Sequence, residues 1–119
     1  MGLCMKFTES LRSNRDFQHV FRSGKSFANK FLVMYVSKNQ LNKNRLGISV
    51  SKKVGNSVVR HRVKRLIKES HRLQENIFNS GLDIVVIARN NAADFTYQEA
   101  ESALLHLWKL HSNKWINKE

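Results

Sequence analysis

The chain has 119 residues, with 21 Lys and Arg against nine Asp and Glu for a net charge of +12, one Cys and no Pro. A chain of this length is expected to form one domain, since a typical domain has about 100 to 200 residues. Cys4 alone excludes an internal disulfide framework and favours a reducing compartment. The longest strongly apolar run, residues 84–88, is far shorter than the ~20 residues of a membrane span, so we expect a cytoplasmic protein.

The first predicted element is a short helix over residues 14–22. Ser13 offers an N-cap with an acidic residue, Asp16, three positions later, and Gly24 ends the pattern. Three apolar side chains recur at helical spacing within it: Phe17, Val20 and Phe21.

The next segments indicate strands. Residues 27–37 are rich in β-formers, and residues 45–51 alternate with a period of two, so the pair predicts an antiparallel hairpin, with an extra short strand near 25–27. In the second strand we expect one face to enter the core and the other to be small and polar. The core face holds Leu46, Ile48 and Val50, and the small face holds Gly47, Ser49 and Ser51. Small residues leave room for a ligand backbone to approach.

A longer amphipathic helix is predicted over residues 58–79, after a turn with an N-cap near Asn56 and Ser57. At ~100° per residue, one arc is apolar and another is cationic. The apolar arc comprises Val59, Val63, Leu66, Ile67, Leu73 and Ile77. The cationic arc comprises Arg60, His61, Lys64, Arg65, Lys68 and Arg72.

The last elements are a strand and a helix. Gly81 ends the long helix, residues 82–89 predict a strand buried on both faces, and Thr96 begins a capping box for a helix to about His111. The order α, β, β, α, β, α, with helices covering one side of a small mixed sheet, indicates an α+β fold. We expect a single domain over 1–119, with flexible ends at 1–10 and 112–119.

The positive charge is concentrated in one quarter of the chain. Residues 43–72 contain ten Lys and Arg against the single acid Glu69, a net +9 of the total +12. Apolar residues interrupt this stretch regularly, so it is expected to form a folded basic surface and not a disordered tail. Such a surface fits a polyanion, either nucleic acid or an anionic membrane.

A catalytic constellation is missing from the sequence pattern. Glu99 and Glu101 are two residues apart and would face different directions on a helix, and the five His show no metal-ligand spacing. We therefore expect no catalytic side chain and no metal held by the protein. The aromatic residues Phe17, Phe21 and Tyr35 fit either a core or a stacking platform for unpaired bases beside cations.

Three ordered motifs resemble the protein component of bacterial ribonuclease P. The first is Asp16-Phe17-x-x-Val20-Phe21-x-x-Gly24 before a strand that ends in Tyr35. The second is the run 50–69, with a Lys-Lys strand end, a Gly-Asn turn and an Arg-x-Arg-x-Lys-Arg helix, and the third is the strand 83–89. The family usually has Asn between the two arginines, whereas this chain has His61, whose ring could stack or donate a hydrogen bond in place of the amide.

The resemblance implies a small two-layer α/β sandwich with a mixed sheet of about four strands, three helices and a left-handed β-α-β crossover. It also implies a holoenzyme subunit in which an RNA subunit, holding most of the magnesium, hydrolyses precursor tRNA to remove its 5′ leader. The protein would bind that RNA and the leader, with no membrane contact and no obligate protein partner. The leader cleft would be lined by Phe17, Phe21, Val33, Tyr35, Ser49, Ser51 and Lys52. The RNA-binding residues would be Lys53, Arg60, His61, Arg62, Lys64, Arg65 and Lys68.

Two alternatives remain open at this point. A small ribosomal RNA-binding protein would share the size, charge and fold but would not need the aromatic cleft. An independent protein nuclease would need paired carboxylates or a metal cluster, which the sequence does not offer.

Overall fold

The computed structural model describes residues 8–39, 41, 43–74 and 81–116. Five strands form one sheet, and three helices and a 3₁₀ turn at Asn90–Asp94 accompany it. The strands are β1 (Thr8–Ser10), β2 (Lys25–Ala28), β3 (Leu32–Lys38), β4 (Asn44–Ser49) and β5 (Leu82–Ala88). The helices are α1 (Asn14–Ser23), α2 (Ser57–Gln74) and α3 (Tyr97–Ile116). The α+β class is confirmed, and the short edge strand β1 adds a fifth strand.

The sheet order is β1-β4-β5-β3-β2, which corrects the expected hairpin. β3 and β4 are not paired with each other, because β5 lies between them, antiparallel to β3 and parallel to β4. β5 takes this central place because it is apolar on both faces, as expected for a strand covered from both sides. The antiparallel hairpin is β2–β3 instead, turned at Asn29, whose Oδ1 accepts the backbone N–H groups of Phe31 and Leu32.

The helices lie on both faces of the sheet, not on one as expected. α2 and α3 cover the face that carries Met34, Leu46 and Ile84, where the main core forms. α1 packs on the opposite face, where a second and smaller cluster joins Leu11, Val20 and Val85. The domain therefore has a full helical layer on one side and a single short helix on the other.

The β4-α2-β5 connection is left-handed, as the resemblance implies. In a strand drawn upward, an L-residue whose side chain points at the viewer directs its carbonyl to the right. Leu46 points into the α2 and α3 layer, and its carbonyl accepts the N–H of Leu11, next to β1, at 2.8 Å. β1 thus lies to the right of β4 and β5 to its left, so the chain moves left through α2. This is the minority hand, since ~98% of such crossovers are right-handed.

The helix boundaries follow local signals. Ser13 caps α1 by accepting the N–H of Asp16 at 3.1 Å, as predicted, and Asn56 caps α2 by accepting the N–H of Val59 at 3.0 Å. The end predicted for the long helix near residue 79, with Ile77, lies outside the described residues. Leu73, expected in the apolar arc, is 52% exposed. Ser70 and His71 occupy the buried stripe in its place, one turn beyond Ile67 and two turns beyond Val63.

Candidate nucleic-acid interface

The open face of the sheet carries two rows of side chains that run across the strands. One row joins Gly47, Val85 and Tyr35, and the next joins Ser49, Ile87 and Val33, as the strand register requires. α1 crosses the first row and leaves Val85 fully buried beneath it. The second row is only half-buried. Neighbouring strands are ~4.8 Å apart, so this row forms the floor of a groove about 10 Å wide from β4 to β3.

An aromatic wall borders this floor. Phe17 and Phe21, one turn apart on α1, have ring centroids 6.2 Å apart, and Phe21 meets Tyr35 edge to face at 5.0 Å. All three rings are half-buried and pack against the small cluster under α1. They therefore serve the core with one side while keeping part of their surface in solvent. We call the wall and its floor the cleft: Phe17, Phe21, Tyr35, Val33, Ile87 and Ser49.

The end of β4 leads from the cleft toward α2. Ser51, Lys52 and Lys53 follow the strand in an exposed turn, which is closed by a hydrogen bond from the N–H of Val54 to the carbonyl of Ser51 at 3.1 Å. The structure thus brings five of the seven expected cleft residues onto one face and places the other two, Ser51 and Lys52, at its β4 end.

α2 presents a basic surface on the far side of this turn. His61, Lys64 and Arg65 are exposed, and Arg60 and Lys68 are half-buried. The Nε of Arg60 is buried with no hydrogen-bond partner among the residues described. Glu69 is the only acid among the described residues of α2, and it comes after all five of these side chains in the helix. We call Arg60, His61, Lys64, Arg65 and Lys68 the α2 surface.

Two arginines of α2 differ from the rest. Arg62 turns to the other flank of the helix, where its guanidinium donates to the backbone carbonyls of Ala93, at 3.3 Å, and Phe95. The structure gives Arg62 a structural role, holding the segment before α3, and its expected role toward RNA stays a prediction. Arg72 forms an ion pair with Glu69, and its hydrogen bond lowers the pKa of Glu69 below the ordinary value. At neutral pH this carboxylate is charged and neutralises Arg72, so the α2 surface ends at Lys68.

Two residues that frame the cleft, Ile87 and Arg45, were missed in the sequence, whereas Gly47 was already expected on the small face of β4. Ile87 is part of the floor, and Gly47 admits the ring of Phe17. Arg45 binds Asp83 through two hydrogen bonds, at 2.6 and 2.8 Å, and reaches Asp16 of α1 at 3.4 Å. The alternation of β4 places Arg45 on the small face with Gly47 and Ser49, which is a usable signal for its position. Its partners, 29 and 38 residues away, have no such signal.

The described residues offer no ready metal centre or membrane segment. Among them, no group of three or more His, Cys, Asp or Glu could hold a metal ion. Asp16 and Asp83, two acids beside the cleft, are engaged with Arg45. No helix in the described ranges is long and apolar enough to cross a membrane.

Comparison with known proteins gives one consistent result. The family model described as Ribonuclease P matches residues 5–111. A protein of Lachnoclostridium phytofermentans named ribonuclease P protein component is 64% identical over 104 residues, which cover 87% of this chain and 90% of that protein. The protein of the same name from Alkaliphilus metalliredigens is 55% identical over 103 residues, covering 87% and 93% of the two chains.

Solved structures give the same answer for the fold. The RNase P protein of Staphylococcus aureus superposes with a TM-score of 0.80 at 39% identity, over 86% of this chain and 94% of that one. The RNase P protein of Thermotoga maritima gives a TM-score of 0.76 at 35% identity, over 83% and 94%.

Proposed function

This chain belongs to the ribonuclease P protein family, as a protein subunit of that ribonucleoprotein, and on that premise we propose that its two surfaces take two different RNAs. The α2 surface binds the RNA subunit of the holoenzyme. The cleft binds the single-stranded 5′ leader of precursor tRNA. The ribosomal-protein alternative is not favoured, because the matching relatives are ribonuclease P proteins.

The proposal for the cleft rests on its shape and chemistry. Proteins bind unpaired nucleotides by stacking bases on aromatic rings beside a cationic groove, which contributes ~1–3 kcal/mol per base. Phe17, Phe21 and Tyr35 supply half-buried rings, and Lys52 supplies charge at the β4 end. The half-buried row that α1 leaves open beside these rings is the observation that carries the proposal.

The proposal for the α2 surface rests on its excess of positive charge. Folded RNA is bound through its phosphates, and each phosphate neutralised by Lys or Arg releases counterions. Five basic or imidazole side chains along one helix, with the sole acid Glu69 paired to Arg72, fit that partner. The surface lies on the α2 and α3 side of the sheet, whereas the cleft lies on the α1 side, so the two RNAs need not compete.

In this proposal the protein contributes binding and the RNA contributes the reaction. Magnesium, which we place on the RNA subunit, would supply the activated water and the charge stabilisation that hydrolysis of the phosphodiester bond requires. The described side chains do not form a donor set for such an ion, so we assign no step of the hydrolysis to them. The role of this chain is to hold the leader and the RNA subunit together.

The test is to reconstitute the holoenzyme from this protein and the RNA subunit of the same organism, and to measure cleavage of a labelled precursor tRNA at low magnesium. We expect the protein to raise the cleavage rate and to lower the dissociation constant of the precursor more than that of mature tRNA. Unchanged cleavage would contradict the proposal. Cleavage by the protein alone would contradict the assignment of the reaction to the RNA.

A further inference from the structure

The position of the aromatic wall depends on one buried charge pair beneath α1. The carboxylate of Asp83 in β5 is 3% exposed and accepts two hydrogen bonds from Arg45, at 2.8 Å from Nε and 2.6 Å from a terminal nitrogen. A third donor, from Asn39, reaches the same carboxylate at 2.8 Å. A planar guanidinium bound in this two-pronged way has little freedom to turn. Arg45 is thereby locked to the sheet.

The remaining terminal nitrogen of Arg45 extends from the sheet to α1. It lies 3.4 Å from Oδ2 of Asp16, which is 36% exposed in its side chain. Asp16 is the residue immediately before Phe17, in the first turn of the helix. The other end of α1 is tied separately, through the hydroxyls of Ser23 and Ser37, which are 3.2 Å apart. The helix is thus held at both ends, and the tie nearest Phe17 is ionic.

We propose that Arg45, acting through Asp16, is a positioning residue for leader binding: it sets where Phe17 and Phe21 stand over the floor of the cleft. This inference rests on the proposed function of the cleft. Arg45 and Asp16 touch no base in the proposal; they act only on the wall. Loss of the contact lets the N-terminal turn of α1 shift, so that the rings of Phe17 and Phe21 no longer lie where bases over the floor can stack on them.

Substitution of Asp16 should change the affinity for precursor tRNA in opposite directions, depending on whether Asp16 positions the wall or only adds negative charge. Asp16→Ala removes a negative charge and makes the protein more attractive to RNA as a whole. If Asp16 positions the wall, the holoenzyme carrying Asp16→Ala instead binds precursor tRNA about 2- to 5-fold more weakly, in line with a partly exposed ion pair. Its affinity for mature tRNA, which has no leader, stays the same or increases.

Three further variants complete the design. Asp16→Glu keeps a carboxylate within reach of Arg45 and should restore precursor binding. Asp94→Ala removes an exposed carboxylate at the segment before α3 and should not lower the ratio of precursor to mature tRNA affinity. Arg45→Lys keeps a positive charge beside Asp83 but loses the guanidinium that contacts both Asp83 and Asp16. The losses of precursor affinity in Arg45→Lys and Asp16→Ala should therefore not add in the double mutant.

The outcomes distinguish this inference from the function beneath it. Equal affinity of the unmodified holoenzyme for precursor and mature tRNA would overturn the leader-binding function and this inference together. Leader discrimination that is normal in the unmodified holoenzyme and unchanged in Asp16→Ala would overturn the positioning role alone. So would additive effects of Arg45→Lys and Asp16→Ala. Thermal unfolding of each variant, measured in parallel, shows whether weaker binding comes from a destabilised chain.

Discussion

The ring of Phe17 lies against the bare backbone of Gly47. A Cβ built on Gly47 would be 2.5 Å from Cζ of Phe17 and 3.2 Å from the carbonyl oxygen of Leu11. The first atom belongs to a side chain that can move, whereas the second is backbone. The absence of a side chain at Gly47 therefore sets how closely Phe17 approaches the sheet.

Gly47→Ala should displace the wall without touching the α2 surface. We expect the added methyl to cost about 1–3 kcal/mol of folding free energy, as overpacking usually does, and to weaken precursor tRNA binding by moving Phe17. Binding of the RNA subunit should not change. The measurements are urea unfolding of the free protein and titration of each RNA. A variant with normal precursor binding would show that the contact between Phe17 and Gly47 is only packing.

Removal of the cleft aromatics tests the stacking platform itself. Phe21→Ala and Tyr35→Ala should each weaken precursor tRNA binding by about fivefold or more, since one stacked base contributes ~1–3 kcal/mol. Mature tRNA binding should be almost unaffected.

Phe31 provides a matched control for these two variants. It is a half-buried ring that packs against Phe95, with centroids 4.9 Å apart, on the opposite side of the sheet. Phe31→Ala should lower stability but leave the ratio of precursor to mature affinity intact. Equal losses for both tRNAs in Phe21→Ala and Tyr35→Ala would count against the cleft.

Two arginines on α2 should separate RNA binding from folding. Arg65 is exposed, so Arg65→Ala should keep the folding free energy and reduce the slope of log K against log salt, for RNA-subunit binding, by ~0.9 if one phosphate contact is lost. Arg62→Ala removes donors to the carbonyls of Ala93 and Phe95 and should cost about 1–3 kcal/mol of stability. Salt titrations and denaturant unfolding of both variants check this. If both variants lose the same stability and the same salt slope, the separation of RNA binding from folding between Arg65 and Arg62 is wrong.

Local signals in the sequence predicted the three helices and strands β2 to β5, but not the edge strand β1 and not which strands pair. The N-cap Ser13 and the period-two strand 45–51 predicted α1 and the small face of β4 from neighbours a few residues apart. Strand pairing depends on which strand is apolar on both faces, and β5 comes 33 residues after β4 in the chain. Nothing in the alternation of β4 shows that β5 will separate it from β3.

The site divides in the same way. Composition and helical spacing were enough to place charge along α2, and the motifs supplied the residues of the cleft. The contacts that shape the cleft are tertiary: Phe17 on Gly47, Arg45 on Asp83, and Arg62 on the carbonyls before α3. Each joins residues about 30 to 38 positions apart, so spacing within one element carries no trace of it.

Asp83→Asn tests how much the domain depends on its buried charge pair. The substitution keeps the shape of the side chain but leaves the guanidinium of Arg45, 25% exposed in its side chain, facing a neutral amide. Removing one partner of a buried pair costs ~3–5 kcal/mol, and the partial exposure of Arg45 places the expected loss near 3 kcal/mol. Denaturant unfolding should show this as a lower midpoint with an unchanged m-value. Asp94→Asn, at an exposed carboxylate, is the control and should stay within about 0.5 kcal/mol. If both variants unfold at the same midpoint, the Arg45–Asp83 pair contributes nothing measurable to stability.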